Sequence, residues 1–229
     1  MNAGRNAILA LDTATTRAVV AIGRADGGRL GLTAWRVGYR HGEELLPAIE
    51  RLLREVEVSL AQLTGIVAGT GPGAFTGLRV GLATAKALAY ALGLPIAGIP
   101  TGAALLASAA AAERVGLDRL ALLLPAGPAD RLLVTAGAPA RLLPGGREPE
   151  LPTTAIVIAL DLPGRAPAEA MERGERAFDG LGPEMLRAGA ARLRAGDADD
   201  LARLVPEYVT LPRGVAHAAG EVRWSRDPR

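Results

Sequence analysis

Two stretches combine residue types and spacing that could do chemistry. One is Leu9-Ala10-Leu11-Asp12-Thr13-Ala14-Thr15. An acid at the end of an apolar run, followed by hydroxyl residues, can position a metal-bound phosphate. A lone Asp at such a place more commonly forms an Asx turn. The other is Gly69 to Gly81, GTGPGAFTGLRVG. A glycine-rich loop between a strand and a helix can present backbone N–H groups to an anion at the helix N-terminus. It is not a P-loop, because Thr76-Gly77-Leu78 stands where Gly-Lys-Ser/Thr is required. It is not the dinucleotide fingerprint, because Ala74 stands at the third glycine position. The second reading of this loop is a tight turn whose glycines let the helix approach the sheet.

No catalytic constellation is complete. The chain has no cysteine, which removes disulfides, thiolate metal sites and cysteine nucleophiles together. Its two histidines, His41 and His217, are far apart and lack an HExxH pattern, so no metal site is expected. Ser59, Ser108 and Ser225 have no nucleophile-elbow context. Aromatics are 3% of the chain, too few for a base-stacking RNA surface, and the net charge is +2. Lys86 is the single lysine among 26 basic residues, and the arginines are scattered rather than gathered on one face. No apolar run reaches the ~18–20 residues of a membrane span, and no signal-peptide pattern opens the chain. With the absent cysteines, this leads to the expectation of a cytoplasmic protein.

These residues must be held by ordered elements, and the 229 residues, 49% hydrophobic, suffice for a core. Residues 7–11 and 17–24 read as strands. A turn at Asp26-Gly27-Gly28 leads to a third over 30–39, so the chain opens with an antiparallel meander. Leu45, Leu46, Ile49, Leu52, Leu53 and Val56 form one apolar stripe at helical period. Residues 66–69 read as a strand, 76–92 as a helix ended by Gly93 and Pro95, 96–99 as a strand, and 101–114 as a helix. Strands are expected over 120–124, 132–136 and 155–160, a loop over 139–152, and a helix over 183–195. A helix starting at Asp197 and a last strand over 208–211 are also expected. This order predicts an α/β fold of mixed sheets with flanking helices. Along helix 76–92, Gly77, Gly81, Ala85 and Ala89 form one small-residue stripe; Ala83, Ala87 and Ala91 form another. Two such stripes exceed what one sheet needs, which favours a partner for this helix.

LALDTAT, HGEELLPAIERLL and GTGPGAFTGLRVGLATAKALA, at their mutual spacing, resemble the TsaB (YeaZ) family. The resemblance covers residues 8–107 and continues weakly through DADDLARLVPEYVTLP. It implies the actin-like, sugar-kinase and Hsp70 ATPase (ASKHA) fold with two small subdomains. These are expected at 1–100, which carries the partner-binding helices, and at 101–212, a reduced second subdomain. A flexible tail is expected over 213–229. It also implies a non-catalytic scaffold, inactive alone. The scaffold acts with a TsaD-like catalytic paralogue and a TsaE-like ATPase, which form N6-threonylcarbamoyladenosine next to the anticodon of tRNAs reading codons that start with A. On this reading tRNA is met only through the complex, and the chain alone could homodimerise. No cofactor is tightly bound, and ATP or ADP with Mg is placed at the interface of the complex. The nucleotide-contact candidates are Asp12, Thr13, Gly71, Gly73 and Thr76. The partner-interface candidates are Leu45, Leu46, Ile49, Leu53, Gly77, Gly81, Ala85 and Ala89, so Gly81→Leu is expected to leave the monomer folded but unable to bind its partner.

Two departures stand out. Thr70 and Ala74 replace the family's usual basic residue and serine, and residues 120–136 lack its Asp-Ala-Arg and Glu-Val-Tyr. Pro125 and Gly127 predict a broken or shortened hairpin there. The alternative function is a small-molecule kinase of the same superfamily, which would need a catalytic acid in the second half. A metallopeptidase and a plain packing domain are weaker readings.

Overall fold

The computed structural model describes residues 7–37 and 41–209. The expected tail 213–229, His217, Ser225 and the end of the expected last strand lie outside them.

Five strands form the first sheet in the order β3-β2-β1-β4-β5. They are β1 (Ala7–Asp12), β2 (Arg17–Arg24), β3 (Arg29–Arg36), β4 (Leu63–Gly71) and β5 (Ile96–Pro100). The meander pairs antiparallel; β4 pairs parallel with β1, and β5 with β4. Strands covered on both faces must be apolar throughout, as β1 is: every residue from Ala7 to Asp12 is buried. Leu9, Leu11, Val20, Ile22 and Ile66 face helices α1 (His41–Glu55) and α2 (Phe75–Leu92). Ile8, Ala10, Val19, Ala21 and Val67 face the opposite side. That side meets α3 (Thr101–Glu113) and α5 (Leu181–Arg194). Each fully buried Leu or Ile adds about 1.5–3 kcal/mol, which makes this two-sided burial the main source of stability.

The second sheet has the order β8-β7-β6-β9. It comprises β6 (Leu120–Ala126), β7 (Asp130–Thr135), β8 (Arg141–Leu143) and β9 (Ile156–Ala159). Helix α4 (Ala168–Asp179) packs on it through Ala170 and Gly174. One core runs from the first sheet through α3 and α5 to Leu120, Leu122, Leu132 and Ile158 of the second. The mixed sheets with flanking helices form the expected actin-like α/β fold.

Several expectations are corrected. The β6–β7 hairpin is intact: Pro125 pairs with Arg131 and Ala126 with Asp130. Pro125 lies beyond the reach of β9, whose pairing with β6 ends at Leu123, so its missing N–H breaks no ladder there. Gly127, at φ +93°, makes the turn. The loop expected over 139–152 holds the short β8, and α4 occupies a stretch for which the sequence pattern predicts no element. No helix starts at Asp197. Asp199 instead bridges to Ile96 in an antiparallel sense, and turns follow. Tyr208 and Val209 are not a strand. Finally, α5 belongs by sequence to the expected second subdomain, but it packs on the inner face of the first sheet.

Candidate functional site

Strands β1, β4 and β5 run parallel and end side by side, and α/β proteins hold ligands at such carboxyl ends. Asp12 ends β1 and is buried. Its Oδ2 accepts the Thr101 hydroxyl at 2.6 Å, and its Oδ1 accepts the Ala14 N–H at 2.8 Å. The Thr101 hydroxyl in turn accepts the Gly71 N–H at 3.0 Å. Burial pushes the Asp12 carboxyl above the usual carboxylate range, against the opposing pull of the Thr101 and Ala14 hydrogen bonds. Asp12 therefore ties together the ends of all three strands.

The glycine loop is shaped around the β1–β2 turn. A Cβ at Gly69 would overlap the Asp12 carboxylate, one at Gly73 the Ala14 carbonyl, and one at Gly81 the Thr13 hydroxyl. Thr13 is buried and donates to the Gly77 carbonyl at 2.7 Å; the Ala74 N–H donates to the Ala14 carbonyl at 2.7 Å. Gly71 has φ +102° and precedes a cis proline, Pro72. Thr76 is exposed on the first turn of α2. Of the five nucleotide-contact candidates, Asp12, Thr13, Gly71 and Gly73 are thus gathered in one place. The Asp12 carboxylate, the Thr13 hydroxyl and the Gly71 N–H are bonded within the chain, which fits the tight-turn reading of the loop.

The second sheet closes the turn from the other side. Asp161, just after β9 and at φ +57°, accepts the Thr16 N–H at 2.8 Å and its hydroxyl at 2.6 Å. Arg17 pairs with Glu175 of α4 at 2.6 Å and lies 3.6 Å over the Phe178 ring. A carboxylate of the chain itself holds the N–H that could otherwise face an anion. Sequence reasoning missed Asp161, Arg17 and Thr101. Only Thr101 had a signal, as a hydroxyl residue opening a helix directly after a strand.

The partner-interface candidates divide sharply. Leu45, Ile49, Leu53, Gly77, Gly81, Ala85 and Ala89 are buried in the chain's own core. This corrects their assignment to a partner surface: the first small-residue stripe seats α2 on its own sheet, and Gly81→Leu would clash with Thr13 inside the monomer. Leu46 alone stays available, at 53% exposed. The second stripe, Ala83, Ala87 and Ala91, faces outward beside Tyr90, which is 82% exposed.

A strap over residues 199–209 runs beside this face. The Asp199 N–H donates to the Ile96 carbonyl at 2.8 Å, and its carboxylate accepts the Gly98 N–H at 2.7 Å and Arg192 Nη1 at 2.9 Å. Arg192 also binds Asp197, whose carboxyl it holds below the usual range. Lys86 donates to the Leu204 carbonyl at 3.0 Å. Arg79 donates to the Tyr208 hydroxyl at 3.0 Å and stacks 3.9 Å over Phe75. Between strap and helix lies a groove of about 390 Å³ lined by Lys86, Ala87, Tyr90, Leu201 and Ala202. Among the described residues no group of three or more His, Cys, Asp or Glu side chains could hold a metal, and no helix is long and apolar enough to cross a membrane.

Comparison with known proteins places these features in context. Residues 36–205 match the family model described as TsaD, tRNA N6-adenosine threonylcarbamoyltransferase. A Mycobacterium leprae protein is 42% identical over 95 residues, 40% of this chain and 26% of that protein. The Escherichia coli tRNA threonylcarbamoyladenosine biosynthesis protein TsaB is 34% identical over 94 residues, 41% of this chain and 40% of that protein. The chain thus spans less than half the length of these curated relatives. The solved structure of YeaZ from Pseudomonas aeruginosa superposes with a TM-score of 0.67 at 24% identity, over 89% of this chain and 99% of that one.

Proposed function

We propose a function from one premise: the chain belongs to the family described as TsaD, tRNA N6-adenosine threonylcarbamoyltransferase. Within it the chain is the TsaB-like, non-catalytic member. It supports a TsaD-like catalytic paralogue, together with a TsaE-like ATPase, in forming N6-threonylcarbamoyladenosine on tRNA in the cytoplasm. The observation that carries this reading is the contrast across α2. Its inner stripe is consumed by the chain's own sheet, and its outer stripe, Ala83, Ala87 and Ala91 with Tyr90, is left open. Small residues around an exposed aromatic suit a close helix–helix contact.

The closed turn at Asp12 supports the non-catalytic half of the reading. With the Ala14, Thr16 and Ala74 N–H groups already bonded within the chain, a nucleotide binds at the interface with the paralogue rather than here. The same closure removes support from the kinase alternative. Reconstitution tests the proposal: the TsaD-like and TsaE-like proteins of the same source, Mg-ATP, a threonylcarbamoyl donor and tRNA are mixed with and without this chain. The expected outcome is modified tRNA only when the chain is added, and none from the chain alone. Full modification without the chain would overturn the proposal.

A further inference from the structure

The second sheet carries a cationic pocket, apart from the Asp12 turn and the α2 face, that the proposed function does not use. It has a volume of about 450 Å³, within the range of small-ligand sites, and is lined by Arg131, Glu148, Arg165, Gly146 and Gly164. Arg131 on β7 is only 4% exposed. Its Nη1 donates to the Arg165 carbonyl at 3.1 Å, and its Nη2 donates to the Arg147 carbonyl and to Glu148 Oε1, the latter at 3.1 Å. Arg165 spends Nη1 on the Gly127, Pro128 and Asp130 carbonyls, at 2.9, 3.1 and 3.3 Å. Its Nη2 and Nε bond to nothing among the described residues, and it pairs with no carboxylate there. The other nearby acid, Asp130, accepts the Gly145 N–H at 2.8 Å.

The one carboxylate in the pocket therefore serves Arg131 alone, and the Arg165 guanidinium is held by backbone carbonyls. A buried cation needs a firm counter-charge, but the Glu148 side chain is 80% exposed, and an ion pair with so wet a partner is held weakly. Glu148 is placed as a stand-in that a better acceptor can displace. Guanidinium forks match the oxygens of phosphate in two-point contacts. We propose that this pocket binds a phosphate oxyanion between Arg131 and the free edge of Arg165, with Glu148 swinging out to admit it. The ligand is free phosphate or a phosphodiester group of RNA, which share this chemistry.

Calorimetric titration of the full chain with inorganic phosphate tests the site. The wild type takes up one phosphate saturably. Glu148→Gln, at an exposed position, melts as the wild type does and binds phosphate more tightly, because the internal competitor is gone. Arg165→Gln binds about tenfold more weakly, the loss of one charge-assisted contact. A short single-stranded RNA that competes with phosphate in the wild type and fails in Arg165→Gln marks RNA as the source; RNA that does not compete marks free phosphate. No saturable uptake by either the wild type or Glu148→Gln, or a Glu148→Gln affinity at or below the wild-type value, would overturn the proposal.

Discussion

Asp12 is a buried acid whose ionisation is opposed by its surroundings, and the sign of that shift has a consequence for stability. The folded chain holds the Asp12 proton above the ordinary value of 3.8. Between that value and the raised one the folded state binds more protons than the unfolded state. Stability therefore falls as pH rises through this window and levels off above it. Asp12→Asn should flatten that fall in denaturant unfolding curves taken at rising pH from the ordinary carboxylate value upward; an unchanged slope would place the proton elsewhere. At Gly81 the expected effect is steric. Gly81→Leu forces a side chain into Thr13, and overpacking of this kind costs about 1–3 kcal/mol or more. Thermal melting of the isolated chain should show a clear drop, and an unchanged melting temperature would contradict the packing described. Asp161→Ala should cost about 1 kcal/mol by freeing the Thr16 N–H and hydroxyl, read as a lower midpoint in urea.

At the scale of elements, α2 is a helix with two small faces and two different fates. Ala87 and Tyr90 are exposed and lie off the stripe that meets the sheet, so replacing either by arginine should leave the melting temperature within about a degree or two of wild type, as for other surface changes. Strands β1 to β7 and β9, helices α1 to α3 and the Gly93 stop were legible in the sequence, because apolar period and cap chemistry decide them locally; the three-residue β8 was not. The use of each helix face was not legible. The burial of Ala85 and the exposure of Ala87 depend on which side of α2 meets the sheet, and both positions read simply as alanine. Asp199 likewise reads as helix-opening. Its pairing with Ile96, Gly98 and Arg192 is a long-range event that no local pattern carries. The glycine loop is legible by its composition, but its close approach to Ala14 and Thr13 is a long-range contact that composition does not carry.

Across the whole molecule the two sheets follow one another in sequence, but α5, which comes after both, returns to pack on the first. Leu181, Met185, Leu186 and Ala190 of α5 help cover the inner face of the first sheet, so residues 1–100 alone should fail to fold. Circular dichroism and amide dispersion of that fragment would show this; a cooperative melt would contradict it. The near-balanced charge of +2 with few aromatics predicts weak binding of tRNA by the chain alone, and tight, salt-sensitive binding would contradict that. The central claim is that the open face of α2 receives the TsaD-like paralogue. Its most direct test is light scattering on mixtures of that protein with the wild type and with Ala87→Arg. The expected result is a discrete heterodimer for the wild type and separate species for a variant that melts normally. A heterodimer formed equally well by Ala87→Arg would show that the paralogue sits elsewhere.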